Sequence, residues 1–327
     1  MDWRGVVADS VRAHGLRSEQ RLELLALAGL DREPAPLLAR LPLLLAGLAG
    51  LLCGLGLIFA IAANWSGLSR TMQFALLQAA IGLGALGIIV RPGLRLPLGV
   101  WCLLATGGLL AFFGQTYQTG ADTWQLFALW AVLALPLALG LRSDALWMGW
   151  ALVALTAIAL WVTAHVGHRW RAEADDVVVH LIGWLAALGL ALALHGRWGR
   201  RAGCGVWARR TAASLSAGLV TATALAALFG QDPTLQALMA LLALGVAASM
   251  LASPKGFDLF NLSAVALGLN VVLVGGLARL LFSAASGGDA MGRFLLLGLA
   301  AAGMLAATVS GVLRLARAAG RREGGVA

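Results

Sequence analysis

Charge is scarce in this sequence. Only 12% of its 327 residues are Asp, Glu, Lys or Arg, whereas 60% are hydrophobic and the mean hydropathy is +0.86. Soluble domains carry about 25% charged residues. A chain this long with half that charge cannot keep its surface in water, so lipid must cover most of it. Lysine is almost missing: Lys255 stands alone, and every other basic residue is arginine. Together with abundant Ala, Leu and Gly, that bias fits a GC-rich genome and says little about function. The net charge of +9 does not point to nucleic acid. The basic residues lie in short clusters between apolar runs, as membrane topology requires, and are not gathered on one soluble face.

Other absences narrow the chemistry. Of the three cysteines, Cys53 and Cys102 fall inside apolar runs and Cys204 lies in an arginine-rich loop. No CxxC or His/Cys spacing accompanies them, so they read as packing thiols, with no disulfide framework and no metal site. No Asp or Glu lies deep inside an apolar run, which counts against a carboxylate proton relay. There is no Walker loop, HExxH or GxSxG, so neither catalysis nor a cofactor is expected. A cleavable signal peptide is not expected either. The first long apolar run begins near Leu41, behind about 40 residues of mixed charge, too many for an n-region.

What is present is a succession of about ten apolar runs, each near the ~20 residues needed to cross ~30 Å of hydrocarbon. They are read at 41–63, 71–90, 96–114, 123–141, 145–165, 177–195, 211–230, 234–252, 259–281 and 294–313. The expected fold is an all-α polytopic transmembrane bundle. Residues 1–40 form the one substantial soluble piece. Trp3, Val6, Val7 and Val11 share a helical face, Gly15 breaks it, and Ser18 is placed to cap a second helix carrying Leu22, Leu25 and Ala26. This predicts a short N-terminal cytoplasmic helical hairpin, followed by helices 1–5 over 41–165 and helices 6–10 with a basic tail over 166–327.

Basic residues predict the orientation. If the N-terminus is inside, Arg4 to Arg40, Arg91, Arg95, Arg142, Arg197 to Arg210, Lys255 and Arg314 to Arg322 are all cytoplasmic. Only Arg70, Arg169, Arg171 and Arg293 face out, a strong positive-inside signal that predicts a bacterial inner-membrane protein with both termini in the cytoplasm. Several of the twelve tryptophans, Trp65, Trp101, Trp124, Trp147, Trp170 and Trp198, fall at predicted interfaces, where indoles prefer to sit.

Polar groups inside hydrocarbon cost free energy unless paired or wet, so their placement is informative. Asn64, Gln73, Gln78, Gln115, Gln118, Gln125, Gln231 and Gln236 all fall toward the predicted outer side, with His165, His180, Asp122, Asp232 and Arg279. Interhelical hydrogen bonding accounts for such residues, and so does a water-filled outer cavity. The densest stretch is Gly114–Asp122 (GQTYQTGAD), which holds the chain's one tyrosine and lies between runs three and four. Its amides, hydroxyls and carboxylate could read a polar ligand from one short loop. The candidate ligand residues are therefore Asn64, Gln115, Tyr117, Gln118, Asp122, Gln125 and Arg279. Arg279 sits inside the ninth run, where it can snorkel outward or turn inward to pair with Asp122.

Residues 109–115 (LLAFFGQ) and 225–231 (LAALFGQ) agree at five of seven positions. Each precedes an apolar run and then a basic residue followed by Asp: Arg142 and Asp144, Lys255 and Asp258. The two copies lie four runs apart and so face the same side, as a parallel repeat requires. Pro136 within the fourth run can kink it and free a carbonyl. The Gly50-xxx-Gly54 pair is a helix-packing motif.

Ala62-Ala63-Asn64-Trp65 with Leu68-Ser69-Arg70, then GQTYQTGAD with Trp124-Gln125-Leu126-Phe127, then Leu141-Arg142-Ser143-Asp144-Ala145-Leu146-Trp147, resemble the bacterial membrane proteins grouped as "domain of unknown function 2157". Gly15-Leu16-xx-Glu19-Gln20 is similar to the start of that domain, and the motif-bearing match covers about residues 10–165. The resemblance implies a membrane protein and marks these residues as characteristic. It implies no mechanism, cofactor or substrate. Two readings of function remain open. In one, a small polar solute is bound or transported through an outward-facing, amide-rich cavity. In the other, a non-catalytic scaffold or accessory subunit binds another envelope protein.

Overall fold

The computed structural model of the chain describes residues 20, 23, 35–63, 67–117, 120–166, 174–230, 235–253, 258–283 and 290–324. The expected N-terminal hairpin, Asn64 and Gln118 lie outside them. Among the described residues, ten helices are long and apolar enough to cross a membrane: α1 (Ala35–Ala63), α2 (Arg70–Val90), α3 (Arg95–Tyr117), α4 (Thr123–Leu141), α5 (Asp144–His165), α6 (Val177–His195), α7 (Val206–Leu228), α8 (Leu235–Ala252), α9 (Leu259–Ser283) and α10 (Ala290–Gly324). A one-turn helix, Arg197–Arg201, precedes α7.

Three boundaries differ from the sequence reading. The α3 helix continues to Tyr117, so the first half of GQTYQTGAD is helical and not loop. The α7 helix starts at Val206, before the expected 211. At the chain's end α10 runs for 35 residues, past Arg314 and Arg317, because the Leu, Ala and Arg there are all good helix formers. At 1.5 Å per residue that is about 52 Å, longer than the hydrocarbon is thick, so one end projects beyond it.

The helices form two linked groups. In the first, α3 packs on α1, α2, α4 and α5; in the second, α7 packs on α5, α6, α8 and α9. The neighbour pattern of α3 thus returns at α7, four helices later, the same offset as the LLAFFGQ and LAALFGQ copies. Small residues make this close packing possible in lipid, where no hydrophobic force drives helices together. Ala138, Ala151, Ala187, Ala208, Ala212, Ala224 and Ala240 are all fully buried. Gly50 and Gly54 seat α1 on α3: a Cβ on Gly50 would lie 2.5 Å from the Pro97 carbonyl oxygen, and one on Gly54 would lie 3.0 Å from Leu104.

Tryptophan does something the sequence did not announce. Trp147, expected at an interface, is 0% exposed, and its indole N–H donates to the Ala202 carbonyl at 2.8 Å. Trp101 donates to Ala80, Trp130 to Leu103 and Trp150 to Ala131, each at a carbonyl of another helix 2.8–3.0 Å away. Trp184 reaches the Thr223 hydroxyl at 2.9 Å. In a bundle with so few polar side chains, these indoles supply much of the directional cross-bridging.

Arginine-rich segments gather at one end of the bundle. There the Asp144 carboxylate accepts from the backbone N–H groups of Gly205, Trp207 and Ala208 at 2.8–3.0 Å, capping the start of α7 from a different helix. A Cβ on Gly205 would strike that carboxylate, and one on Gly203, held at φ +87°, would strike the Arg142 backbone. Arg142 itself ends α4 at φ 50° and donates to the Arg201 carbonyl. Asp258 caps its own helix α9 through Phe260 and Asn261 and also pairs with Arg210 at 3.5 Å. The two acids of the proposed repeat therefore converge on the same start of α7, so the repeat does not extend to their partners.

Cys204 lies buried in this knot. Burial, with the Asp144 charge adding to it and Arg209 opposing, pushes its thiol from an ordinary 9.0 up to about 11. An unfolded thiol would lose its proton first, so this group's contribution to stability is lost as pH rises through 9 to 11. Cys204 should accordingly resist alkylation at pH 8.5 in folded protein and react promptly after denaturation. Equal rates in the two states would contradict its burial.

Candidate ligand cavity

At the end opposite the arginine-rich one, the last turns of α3 and the first turns of α4 face each other across a cavity of about 640 Å³. Its walls follow from helical spacing. Gly107, Leu110, Ala111 and Gly114 recur at i, i+3, i+4 and i+7 along α3, and Thr123, Leu126, Phe127 and Trp130 do the same along α4. Glycine makes room at two of these points. A Cβ on Gly107 would run into the Trp130 ring, and one on Gly114 would sit 2.9 Å from Leu126. The floor is thus Trp130 lying across Gly107, locked by its indole bond to the Leu103 carbonyl at 2.9 Å.

The mouth is where the polar groups are. Gln115, Thr123 and the backbone of Gly120 and Ala121 rim it, and Gly120 takes φ +66°, a left-handed turn that suits glycine. From Gly107 to Gln115 is eight residues of helix, so the cavity is about 12 Å deep. Below the rim the lining is aliphatic and aromatic. Asp122 sits at the N-cap of α4, beside the mouth, without making a side-chain capping bond to the first N–H groups of that helix.

The candidate residues named from sequence are only partly brought together. Gln115 lines the cavity. Tyr117 turns to the other side of α3, where its ring lies 4.9 Å from Phe113 and 5.8 Å from Phe74, with its side chain largely exposed. Asp122 and Gln125 are exposed beside the mouth and do not line it. Arg279 is elsewhere. Its guanidinium turns inward and donates to the carbonyls of Leu228 and of Gly230, the latter at 2.8 Å, closing the C-terminal end of α7. Among the described residues no ion pair joins it to Asp122, because α9 packs on α7, α8 and α10 and not on α4.

The other polar residues of this half are dispersed. Gln73 and Gln236 are buried in α2 and α8. Asn270 exchanges hydrogen bonds with Thr308, tying α9 to α10 at 3.0 and 3.2 Å. A bias of polar residues toward one side was readable from the sequence. Their division among several helix contacts was not, since spacing along one chain does not say which helices become neighbours.

A membrane bundle with ten long apolar helices among the described residues, and a cavity at one end, is the class these features define. Residues 10–147 of the chain match the family model described as "Predicted membrane protein (DUF2157)", the segment that holds α1 to α4, the cavity and the start of α5. No curated protein and no solved structure matches the chain.

Proposed function

We propose that this is a non-catalytic binding protein of the bacterial inner membrane, whose cavity between α3 and α4 takes a small neutral molecule from the outer side. The observation that carries this reading is the cavity itself, formed by the family-matching segment and rimmed by Gln115, Gly120 and Thr123 over an apolar floor. Positive-inside asymmetry supports placing both termini and the arginine-rich end in the cytoplasm and the cavity mouth outside.

The lining narrows the ligand class. Gln115 and Thr123 offer both donors and acceptors, and the α4 N–H groups favour an acceptor at the mouth. The Asp122 carboxylate beside them disfavours an anion, and the apolar walls disfavour a fully hydrophilic solute. The best match is a neutral molecule with an apolar body and a hydrogen-bonding head.

A thermal-shift panel of polyols, sugars, amides and short alkyl glycosides, run on protein in nanodiscs, tests it. Amphipathic neutral members should raise the melting temperature of wild type and lose at least tenfold in affinity for Gln115→Ala. If every member shifts Gln115→Ala as much as wild type, the assignment fails.

A docking role has one observation in its favour: α10 packs mainly on α9, and its apolar stretch is otherwise uncovered. It would be favoured over the cavity if substitutions on α10 removed a co-purifying membrane protein while cavity variants changed nothing.

A further inference from the structure

A second hollow, of about 400 Å³, lies on the lipid-facing side of the bundle between the outer halves of α5 and α7, with His180 of α6 at its edge. Ala159 and Val162 form one wall, and Gly218 and Ala222 the other. Gly218 leaves it open, since a Cβ there would meet nothing within 4 Å. The lining threonines present no free hydroxyl proton. Thr156 donates to Leu152, Thr163 to Leu160 and Thr223 to Leu219. The crevice is therefore aliphatic with one exception.

That exception is His180, which is 2% exposed and whose Nδ1 has no hydrogen-bond partner. His165 and His195 each place Nδ1 2.8–2.9 Å from the carbonyl four residues earlier on their own helix. The His180 ring lies parallel to Trp184 at 6.4 Å, and Trp184 is itself held by Thr223. An unanswered ring nitrogen in hydrocarbon is costly, and no residue of the crevice supplies its partner.

We infer that this crevice binds a membrane amphiphile, with a hydrocarbon chain between α5 and α7 and a neutral hydroxyl at His180. The position fits this chemistry. His180 is one turn into α6, about 5 Å from its start, near the depth where lipid head groups give way to chains. From Val166 down to Leu155 the crevice offers about 16 Å of wall along α5. A hydroxyl can donate or accept, so it satisfies either imidazole tautomer. No charged side chain lines the crevice to hold a phosphate. The cavity between α3 and α4 is not involved, and the two sites stand or fall separately.

The test uses full-length protein in phosphatidylcholine nanodiscs containing a diazirine-bearing monoacylglycerol, with photolabelled residues mapped by mass spectrometry. Labels should concentrate in 155–166 and 215–226. They should fall at least fivefold in Gly218→Leu, which fills the crevice from a position with room for the side chain. His180→Phe keeps the ring and should reduce labelling by the monoacylglycerol but not by a same-chain probe whose hydroxyls are methylated. Gln115→Ala should leave the crevice pattern unchanged. Labelling no denser there than on the lipid-facing Leu185, Leu188 and Leu192 of α6 would overturn the inference. So would a pattern that Gly218→Leu leaves intact, which would mean that the labels come from lipid around the bundle and not from the crevice.

Discussion

Asp144→Ala is expected to lower stability by about 3–5 kcal/mol, the largest loss of any single polar substitution in the bundle. Its carboxylate takes three backbone N–H groups at the start of α7, from Gly205, Trp207 and Ala208. Each is a hydrogen bond to a charged acceptor, and together they lie where the helix dipole is positive. Helix α7 touches α5, α6, α8 and α9, so loosening its first turn loosens the joint between the two halves. The effect should read as a fall in melting temperature on the order of 10 °C in detergent. Asp144→Asn keeps an acceptor oxygen and should lose roughly half as much. Gly203→Ala, forced against the Arg142 backbone at a positive φ, should weaken the same joint. An Asp144→Ala protein that melts with wild type would show that the cap contributes nothing.

Arg279→Gln is the second large effect, expected at roughly 2–3 kcal/mol because charged hydrogen bonds to the last carbonyls of α7 are removed. The guanidinium fork spans Leu228 and Gly230, so Arg279→Lys, a point charge on a flexible stem, should recover only part of the loss. Asp122→Asn should be nearly neutral, since that carboxylate is exposed. Combined with Arg279→Gln it should add without coupling, as expected for groups that share no partner. A coupling above 1 kcal/mol between Asp122 and Arg279 would restore the ion pair read from the sequence and remove the carbonyl cap.

These two residues show how far the sequence could be read. Ten apolar runs gave ten helices because length and hydropathy are local properties, and their order followed. Helix ends were less legible. Nothing in Gln115-Thr116-Tyr117 stops a helix, so α3 runs on to Tyr117, and nothing in 314–322 stops α10. Arg279 was recognised as unusual, and its inward turn was one of two readings, but the Leu228 and Gly230 carbonyls it reaches are backbone groups that no side-chain pattern encodes. Trp147 misled for a similar reason. Its position one turn into a helix suits an interface, whereas its actual partner is the Ala202 carbonyl, fifty-five residues away. Of the candidate ligand residues, Gln115 lines the cavity because it shares a helical face with Gly107 and Ala111. Tyr117, two residues on, necessarily points elsewhere.

An outward-open, wet cavity between α3 and α4 is the central claim, and thiol accessibility tests it most directly. Ala111→Cys lines the cavity below its rim and Ala121→Cys lies at the mouth, whereas Leu133→Cys on α4 faces lipid. The native thiols give little background, because Cys102 and Cys204 are buried and Cys53 faces outward from the middle of α1, where surrounding lipid keeps an impermeant reagent away. A membrane-impermeant maleimide added to spheroplasts should modify positions 111 and 121 and leave 133 unmodified. Modification of 111 and 121 only after lysis, or not at all, would contradict the account.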